Sequence, residues 1–101
     1  MSIKNIKAQI ESSIDVKKMF LQNQLLLQKV ADTASQCIQC LSRGGKIIFC
    51  GNGGSFADAQ HISAEFTSRF KFNRPGLASV TLGTNSSALT AIGNDYGYDQ
   101  V

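Results

Sequence analysis

The sequence lacks the features that carry a protein into or across a membrane. No apolar run approaches the roughly 20 residues that cross a bilayer, and no apolar signal core follows the N-terminus. Cysteine is scarce and odd in number, with only Cys37, Cys40 and Cys50, so a disulfide framework is not expected. We therefore expect a cytoplasmic protein with reduced thiols and no membrane partner.

The chain is also poor in basic clusters. Ten basic and seven acidic side chains give a net charge of +3, but Lys17-Lys18 is the only basic doublet. A nucleic-acid interface normally has a denser basic patch, so we expect no nucleic-acid partner. The 101 residues are 43% hydrophobic and 17% charged, which is typical of a globular chain with room for one small domain at most.

Two amphipathic helices are predicted in the first part of the chain. Apolar residues recur every three or four positions, and polar residues occupy the other faces. The first run, within residues 3–20, contains Ile3, Ile6, Ile10 and Ile14. The second contains Leu27, Val30, Ala34, Cys37, Ile38 and Leu41. Arg43 followed by Gly44-Gly45 is typical of a helix end.

A strand, a loop and a third helix follow. Residues 46–50 are mostly apolar and predict a strand that is buried on both faces, as in a parallel sheet. Residues 51–54 form a tight glycine loop. Ser55 then opens a helix that ends near residue 69 or 70, and Ser55 and Asp58 have the spacing of a capping box.

The last part of the chain predicts a second strand. Residues 73–76 form a turn, 77–82 a strand, 87–92 a short helix and 93–98 a loop. This order begins an α/β fold with a right-handed parallel crossover. Two strands cannot cover their own faces, and such sheets usually have about five strands. We therefore expect the chain to be the front half of a longer protein.

The glycine loop is the first candidate site. Cys50-Gly51-Asn52-Gly53-Gly54-Ser55 follows a strand, where α/β folds bind ligands. Glycines let backbone N–H groups approach an anion, and the helix N-terminus favours negative charge. A phosphorylated ligand fits this chemistry. A structural turn without a ligand is the alternative, because the loop lacks the P-loop lysine and the full dinucleotide spacing.

A histidine and a glutamate form the second candidate. His61 and Glu65 are four residues apart on a predicted helix, so they lie roughly 40° apart on one face. Such a pair could ligate zinc or transfer a proton, or it could be an exposed polar pair. Because zinc needs about four ligands and His61 is the only histidine, this chain alone does not supply a metal site.

A helical wheel separates this pair from the apolar side of its helix. The apolar side contains Phe56, Ala59, Ser63, Phe66 and Phe70. The nearly opposite side contains Asp58, His61, Glu65 and Arg69. If the pair is functional, another segment or subunit must therefore complete its site.

Three weaker patterns remain. Asn94 and Asp95 lie between glycines, which indicates a turn or a group that binds sugar hydroxyls. Cys37 and Cys40 lie on a helical pattern, so we expect buried, unreactive thiols. The leucines at 25–27 indicate a core or a subunit interface.

Together these motifs resemble the phosphoheptose isomerases, a family of SIS type. The residues that resemble one family signature are 51–61, Glu65, Arg69-Phe70 and Arg74-Pro75. Residues 90–98 resemble a second signature. The likeness extends over residues 45–98 and, more loosely, over the N-terminal helices.

The resemblance implies a doubly wound α/β sandwich of SIS type. Residues 1–101 would be the N-terminal part of a single SIS domain, helical over 1–43 and strand–loop–helix–strand over 44–101. The resemblance also implies assembly as a homotetramer with sites between subunits. It further implies isomerisation of sedoheptulose 7-phosphate to D-glycero-D-manno-heptose 7-phosphate, which would supply heptose for lipopolysaccharide or capsule.

The resemblance also implies roles for individual residues. His61 and Glu65 would bind zinc, and Glu65 would also contact the substrate and act as the catalytic base. The residues that would line the sugar-phosphate site are Asn52, Gly53, Gly54, Ser55, Asn94 and Asp95. The remaining zinc ligands and a Ser/Thr-rich phosphate loop are expected beyond residue 101, so the chain alone is expected to be inactive.

The chain departs from the family pattern at three positions and leaves two other functions open. Phe56 replaces a usual small residue, and Gly83 and Asn85 replace a usual Thr and Asp. A non-enzymatic SIS paralogue that binds a replication initiator would tend to lack Glu65 and the Gly-Asn-Asp-Tyr-Gly sequence at 93–97. A sugar-phosphate-sensing regulator would carry a DNA-binding domain, and the N-terminal helices show no basic recognition helix.

Overall fold

The computed structural model describes residues 2–101. Its elements are α1 (Ile3–Gln22), α2 (Gln24–Ser42), β1 (Ile47–Phe49), α3 (Gly54–Thr67), β2 (Ser79–Thr81) and α4 (Ser86–Tyr96), followed by a 3₁₀ turn at Tyr98–Gln100. The predicted order of helix, helix, strand, helix and strand is confirmed. None of the helices within the described residues combines the length and the apolar character needed to span a membrane.

The chain divides into two units between Gln36 and Cys37, within α2. In the first unit, Ser2 caps α1 because its Oγ accepts the N–H of Asn5 at 3.3 Å. Asn23 separates the two helices, and its Oδ1 accepts the N–H of Leu26 at 3.1 Å. Each helix therefore begins where a side-chain oxygen takes up a free backbone N–H.

The apolar face of α1 is exposed. The exposed fractions of Ile3, Ile6, Ile10 and Ile14 lie between 45% and 73%. Leu25 and Leu26 are also exposed, and Leu27 is half-buried. The expectation that residues 25–27 lie in a core is therefore wrong for the described residues, and their role in a subunit interface stays a prediction.

The second unit contains a parallel pair of strands. β1 and β2 pair in the register Ile47–Ser79, Ile48–Val80 and Phe49–Thr81. Both strands are shorter than predicted, and burial on both faces is wrong for β1. Ile47 and Phe49 are half-buried but Ile48 is 56% exposed, because α3 packs on both strands and nothing within residues 2–101 covers Ile48.

α3 is fixed on the sheet by apolar and polar contacts. Phe66 packs against Phe49 with ring centroids 5.6 Å apart. The Ser63 and Ser79 hydroxyls share a hydrogen bond of 2.8 Å, and the Thr81 hydroxyl donates to the Ala59 carbonyl at 3.0 Å. Because Ala59, Ser63 and Thr81 are all buried, these hydrogen bonds satisfy polar groups inside a small core.

The start of α3 differs from the prediction. The helix begins at Gly54 with Gly53 as its N-cap, and no side chain caps it. Ser55 is already inside the first turn, and its N–H donates to the Asn52 carbonyl at 3.1 Å. The predicted capping box of Ser55 and Asp58 is therefore wrong, because Gly53, with a φ of 58°, turns the chain before Ser55 is reached.

The end of α3 and the extent of α4 are also corrected. α3 ends at Thr67, so Phe70 lies outside it and is exposed. α4 runs from Ser86 to Tyr96 and includes most of the loop predicted over 93–98. Asn85 caps α4 by accepting the N–H of Ala88 at 3.0 Å. Gly93 is tolerated in the helix, and the turn falls at Gly97 instead, where φ is 99°.

The cysteines are less buried than expected. Cys37 and Cys40 are half-buried and Cys50 is exposed, and all three are free thiols. The Cys40 thiol donates to the Lys46 carbonyl at 3.5 Å. This contact joins the last turn of α2 to the segment that leads into β1.

An arginine closes the C-terminal end of α3. One nitrogen of Arg74, Nη1, donates to the carbonyls of Phe66, Ser68 and Pro75 at 3.0, 3.3 and 3.0 Å. The other, Nη2, donates to the carbonyl of Glu65 at 2.8 Å. The last carbonyls of a helix lack partners and attract a cation, so Arg74 stabilises the turn that carries Glu65.

We expect Arg74→Ala to lower the free energy of unfolding of the intact protein by about 2 kcal/mol, because several carbonyls lose a charged donor. Urea denaturation measures this change. Arg69→Ala is the matched control, since Arg69 is exposed and makes no side-chain hydrogen bond within residues 2–101. Equal losses of stability in the two variants would contradict the capping role.

Candidate functional site

The glycine loop is held close to the helix that follows it. A Cβ atom on Gly51 would lie 2.5 Å from the carbonyl carbon and oxygen of Ser55, so only glycine allows this approach. The N–H groups of Ser55 and Phe56 donate back to Asn52 and Gly53 at 3.1 Å each. These contacts fold the loop over the first turn of α3.

Amides at the start of α3 have no backbone partner. The N–H groups of Gly53 and Gly54 donate to no carbonyl within the described part of the chain. Both are at the N-terminus of α3, where the helix dipole favours an anion. The local geometry is therefore compatible with the predicted binding of a phosphorylated ligand.

A cleft of about 530 Å³ lies beside this loop. The residues that line it are Cys50, Gly51, Asn52, Gly53, Phe56, Leu82, Gly83, Leu89, Tyr98 and Val101. Its volume is within the range of small-molecule sites. One wall is the loop at the carboxyl end of β1, and much of the rest is apolar, so the polar groups that could orient a ligand are concentrated in the loop.

Two of the departures from the family pattern face each other in this cleft. A Cβ atom on Gly83 would lie 3.3 Å from Cε2 of the Phe56 ring, and Gly83 has a φ of 87°. The large side chain of Phe56 therefore lies next to a glycine, which has no side chain to compete for the same space. Asn85, the third departure, caps α4.

The histidine and the glutamate are neighbours on α3, as the spacing predicted. His61 Nε2 lies 3.3 Å from Glu65 Oε1, and the side chains are 78% and 34% exposed. Ala59 and Ser63 are buried on the other side of the helix. The pair is directed away from the core and does not line the cleft.

The structure does not bring all the predicted site residues together. Asn52 and Gly53 line the cleft, whereas Gly54 and Ser55 are exposed at the start of α3. Asn94 and Asp95 are exposed on α4, where Asn94 Nδ2 donates to Asp95 Oδ1 at 3.0 Å. The proposed roles of these residues stay predictions.

A family model supplies the observation that classifies the chain. The model of the SIS domain matches residues 9–101. The chain belongs to the SIS domain family. The predicted fold class is thereby confirmed, and β1, α3 and β2 are the part of the SIS fold that carries the glycine loop.

Several relatives of this SIS chain are phosphoheptose isomerases. The phosphoheptose isomerase of Aneurinibacillus thermoaerophilus is 53% identical over 96 residues, which are 95% of this chain and 48% of that protein. Phosphoheptose isomerase 2 of Campylobacter jejuni is 48% identical over 95% of this chain. The chain spans about half the length of the curated relatives it matches.

Solved structures agree with the sequence relatives. The phosphoheptose isomerase of Neisseria gonorrhoeae has a TM-score of 0.80 and 45% identity, covering 95% of this SIS chain and 48% of that chain. The phosphoheptose isomerase of Francisella tularensis has a TM-score of 0.87 and 35% identity, covering 99% and 51%. The N-terminal helices and the strand–loop–helix–strand part therefore all have counterparts in solved phosphoheptose isomerases.

The donor set of the SIS chain suits part of a zinc site. His61 and Glu65 offer an imidazole nitrogen and a carboxylate oxygen, both of which zinc accepts. No group of three His, Cys, Asp or Glu side chains within residues 2–101 could hold a metal ion. The exposed pair fits a metal whose other ligands come from another segment.

Sequence reasoning missed one polar residue of the cleft. The Tyr98 hydroxyl donates to Asn52 Oδ1 at 2.5 Å, across 46 positions of sequence. Tyr98 is the last residue of the second family signature and was predicted to lie in a loop, but no periodicity or spacing relates it to the glycine loop. The contact depends on α4 and Gly97, which together return the chain to the carboxyl end of β1.

Proposed function

We propose that the intact protein is a phosphoheptose isomerase that converts sedoheptulose 7-phosphate to D-glycero-D-manno-heptose 7-phosphate. The observation that carries this proposal is the likeness to phosphoheptose isomerases over 95% of the chain, at 53% sequence identity and at a TM-score of 0.80. Glu65 and the Gly-Asn-Asp-Tyr-Gly sequence, which favour an enzyme over a non-enzymatic paralogue, are both present.

The glycine loop binds the sugar phosphate in this proposal. Gly53 and Gly54 offer N–H groups without backbone partners, and these donate to anionic or hydroxyl oxygens. Asn52 donates from its side-chain amide, and Ser55 from its hydroxyl. Asn94 and Asp95 contact sugar hydroxyls from α4, in a site that further segments complete.

Glu65 is the base of the reaction. A ketose becomes an aldose when a proton leaves C1, an enediol forms, and a proton returns to C2 while the hydroxyl proton moves from O1 to O2. Glu65 takes the proton from C1 and returns it to C2. The carboxylate is only 34% exposed, and Arg74 holds the helix turn that carries it, so its position is defined.

Zinc is the proposed cofactor, and His61 and Glu65 are two of its ligands. When bound, the metal supplies an electrophile that polarises the oxygens of the substrate. His61 contributes an imidazole nitrogen, and the exposure of its side chain leaves space for the remaining ligands. The same two side chains thus bring the base and the electrophile to one face of α3.

The proposed assembly is a homotetramer in the cytoplasm. The exposed isoleucines of α1 form an apolar face that another subunit could cover. The outward direction of His61 and Glu65 also agrees with a site that lies between subunits. The free thiols of Cys37, Cys40 and Cys50 suit a reducing compartment.

The test is an isomerase assay on the intact protein with sedoheptulose 7-phosphate. We expect an aldose phosphate to form, the activity to disappear when a chelator removes divalent metal, and zinc to restore it. An intact protein that contains zinc but shows no turnover would contradict the proposal and would favour a paralogue that binds a protein partner.

A further inference from the structure

We propose that Tyr98 is a positioning residue that orients the side-chain amide of Asn52 toward a phosphoryl or hydroxyl oxygen in the cleft. This inference rests on the proposed function, because it assigns Tyr98 a part in binding the sugar phosphate. It concerns a side chain that has no role in the site as described above.

The hydrogen bond joins two distant parts of the chain. Tyr98 Oη lies 2.5 Å from Asn52 Oδ1, and both residues line the same cleft. No other hydrogen bond within residues 2–101 ties the segment after α4 to the glycine loop. The bond therefore determines where the Asn52 side chain lies relative to the ligand space.

Gly97 sets the position of Tyr98. Its φ of 99° turns the chain out of α4, and a Cβ atom at this position would lie 2.8 Å from Asp99 Oδ1. The 3₁₀ turn that follows carries Tyr98 and, through the bond from the Val101 N–H to the Tyr98 carbonyl at 3.0 Å, also fixes Val101. Both residues line the cleft together with the glycine loop.

The direction of the hydrogen bond determines what Asn52 can bind. A tyrosine hydroxyl that donates to the amide oxygen holds that oxygen on the tyrosine side and leaves the two N–H donors of Asn52 free. An asparagine fixed in this way recognises acceptors, such as the oxygens of a phosphate or a sugar, and disfavours cationic ligands. Without the tyrosine hydroxyl the amide could rotate and present its oxygen instead.

The adjacent main chain supports the same preference. Gly53 and Gly54 follow Asn52 directly, and their N–H groups have no carbonyl partner in the described residues. The free donors of Asn52 and of these two amides belong to one short segment. This segment therefore offers several donors to a ligand oxygen, which suits negative charge.

The test is the variant Tyr98→Phe in the intact protein, which removes only the hydroxyl. We expect the KM for sedoheptulose 7-phosphate to rise about 3- to 10-fold, because the loss of one neutral hydrogen bond weakens binding by this amount. The kcat should be nearly unchanged. Ser87→Ala is the control, because it also removes one hydroxyl, and Ser87 is exposed on α4, does not line the cleft and makes no side-chain hydrogen bond within residues 2–101. Its KM should equal that of the wild type.

A double-mutant cycle separates positioning from a general effect on the fold. If Tyr98 acts through Asn52, adding Tyr98→Phe to Asn52→Ala changes KM no further. An unchanged KM in Tyr98→Phe, or an equal rise in both backgrounds, overturns the inference and leaves the proposed function intact. A wild-type protein that neither binds nor converts the sugar phosphate overturns the proposed function first.

Discussion

Glu65→Gln in the intact protein is expected to lower kcat for sedoheptulose 7-phosphate by about 10²- to 10⁴-fold, the usual contribution of a general base. The amide has nearly the shape of the carboxylate but cannot accept the C1 proton. Steady-state kinetics at saturating zinc measure the loss. Glu11→Gln is the control, because Glu11 is the only other glutamate and lies exposed on α1.

Stability should not account for this loss. Glu65 contacts His61, which is 78% exposed, and has no partner in the small core. An ion pair with one partner so exposed contributes little to folding, so the urea midpoint of Glu65→Gln should match that of Glu11→Gln. A variant that keeps more than about a tenth of the wild-type kcat would contradict Glu65 as the base.

Zinc content distinguishes the two proposed roles of Glu65, as a zinc ligand and as the base. An amide oxygen is a weaker zinc ligand than a carboxylate, so metal analysis of Glu65→Gln should show reduced zinc after dialysis. If saturating zinc restores the metal but not the turnover, Glu65 acts as the base as well as a ligand. If zinc restores both, the carboxylate serves the metal alone.

The parts of the site that lie within one element could be predicted from the sequence. His61 and Glu65 are neighbours because an α-helix places residues four apart on one face, and this holds wherever the helix packs. The glycine loop was located because Gly51 and Gly53 interrupt an apolar strand and a helical pattern. These predictions needed only local geometry.

The parts that depend on tertiary packing could not be predicted. The bond from Tyr98 to Asn52 exists because α4 continues through Gly93 and ends at Gly97. Since both positions are glycine, the sequence did not show at which of them the helix ends. Ile48 was expected to be buried because it lies in an apolar strand, but its exposure depends on which layers cover the sheet.

The structure also relates two departures from the family pattern that the sequence left separate. In the sequence, Phe56 and Gly83 are only two independent departures. In the structure, a Cβ atom added to Gly83 would lie 3.3 Å from the Phe56 ring, so the small residue at one position adjoins the large residue at the other. A change at either position alone would therefore alter the packing of the cleft wall.

Gly51→Ala is expected to have the second large effect, on both stability and activity. The new Cβ atom would lie 2.5 Å from the carbonyl carbon and oxygen of Ser55, and no rotation of a side chain relieves a contact with backbone. The loop must move, at a cost of about 1–3 kcal/mol in the free energy of unfolding. Because the loop carries Asn52 and Gly53, a displacement of about 1 Å would lower kcat/KM roughly 10²-fold.

Gly93→Ala is the matched control for this substitution, since it adds the same methyl group in a place that has room for it. Its Cβ atom would lie no closer than 4.0 Å to Tyr98 and Val101, and replacing glycine inside α4 should raise stability by about 0.5–1 kcal/mol. Urea denaturation and isomerase kinetics on both variants give the comparison. Equal stability and equal activity of Gly51→Ala and Gly93→Ala would mean that the loop can move to accommodate a methyl group at position 51. The glycine loop would then not be the rigid donor site that the proposed binding of the sugar phosphate requires.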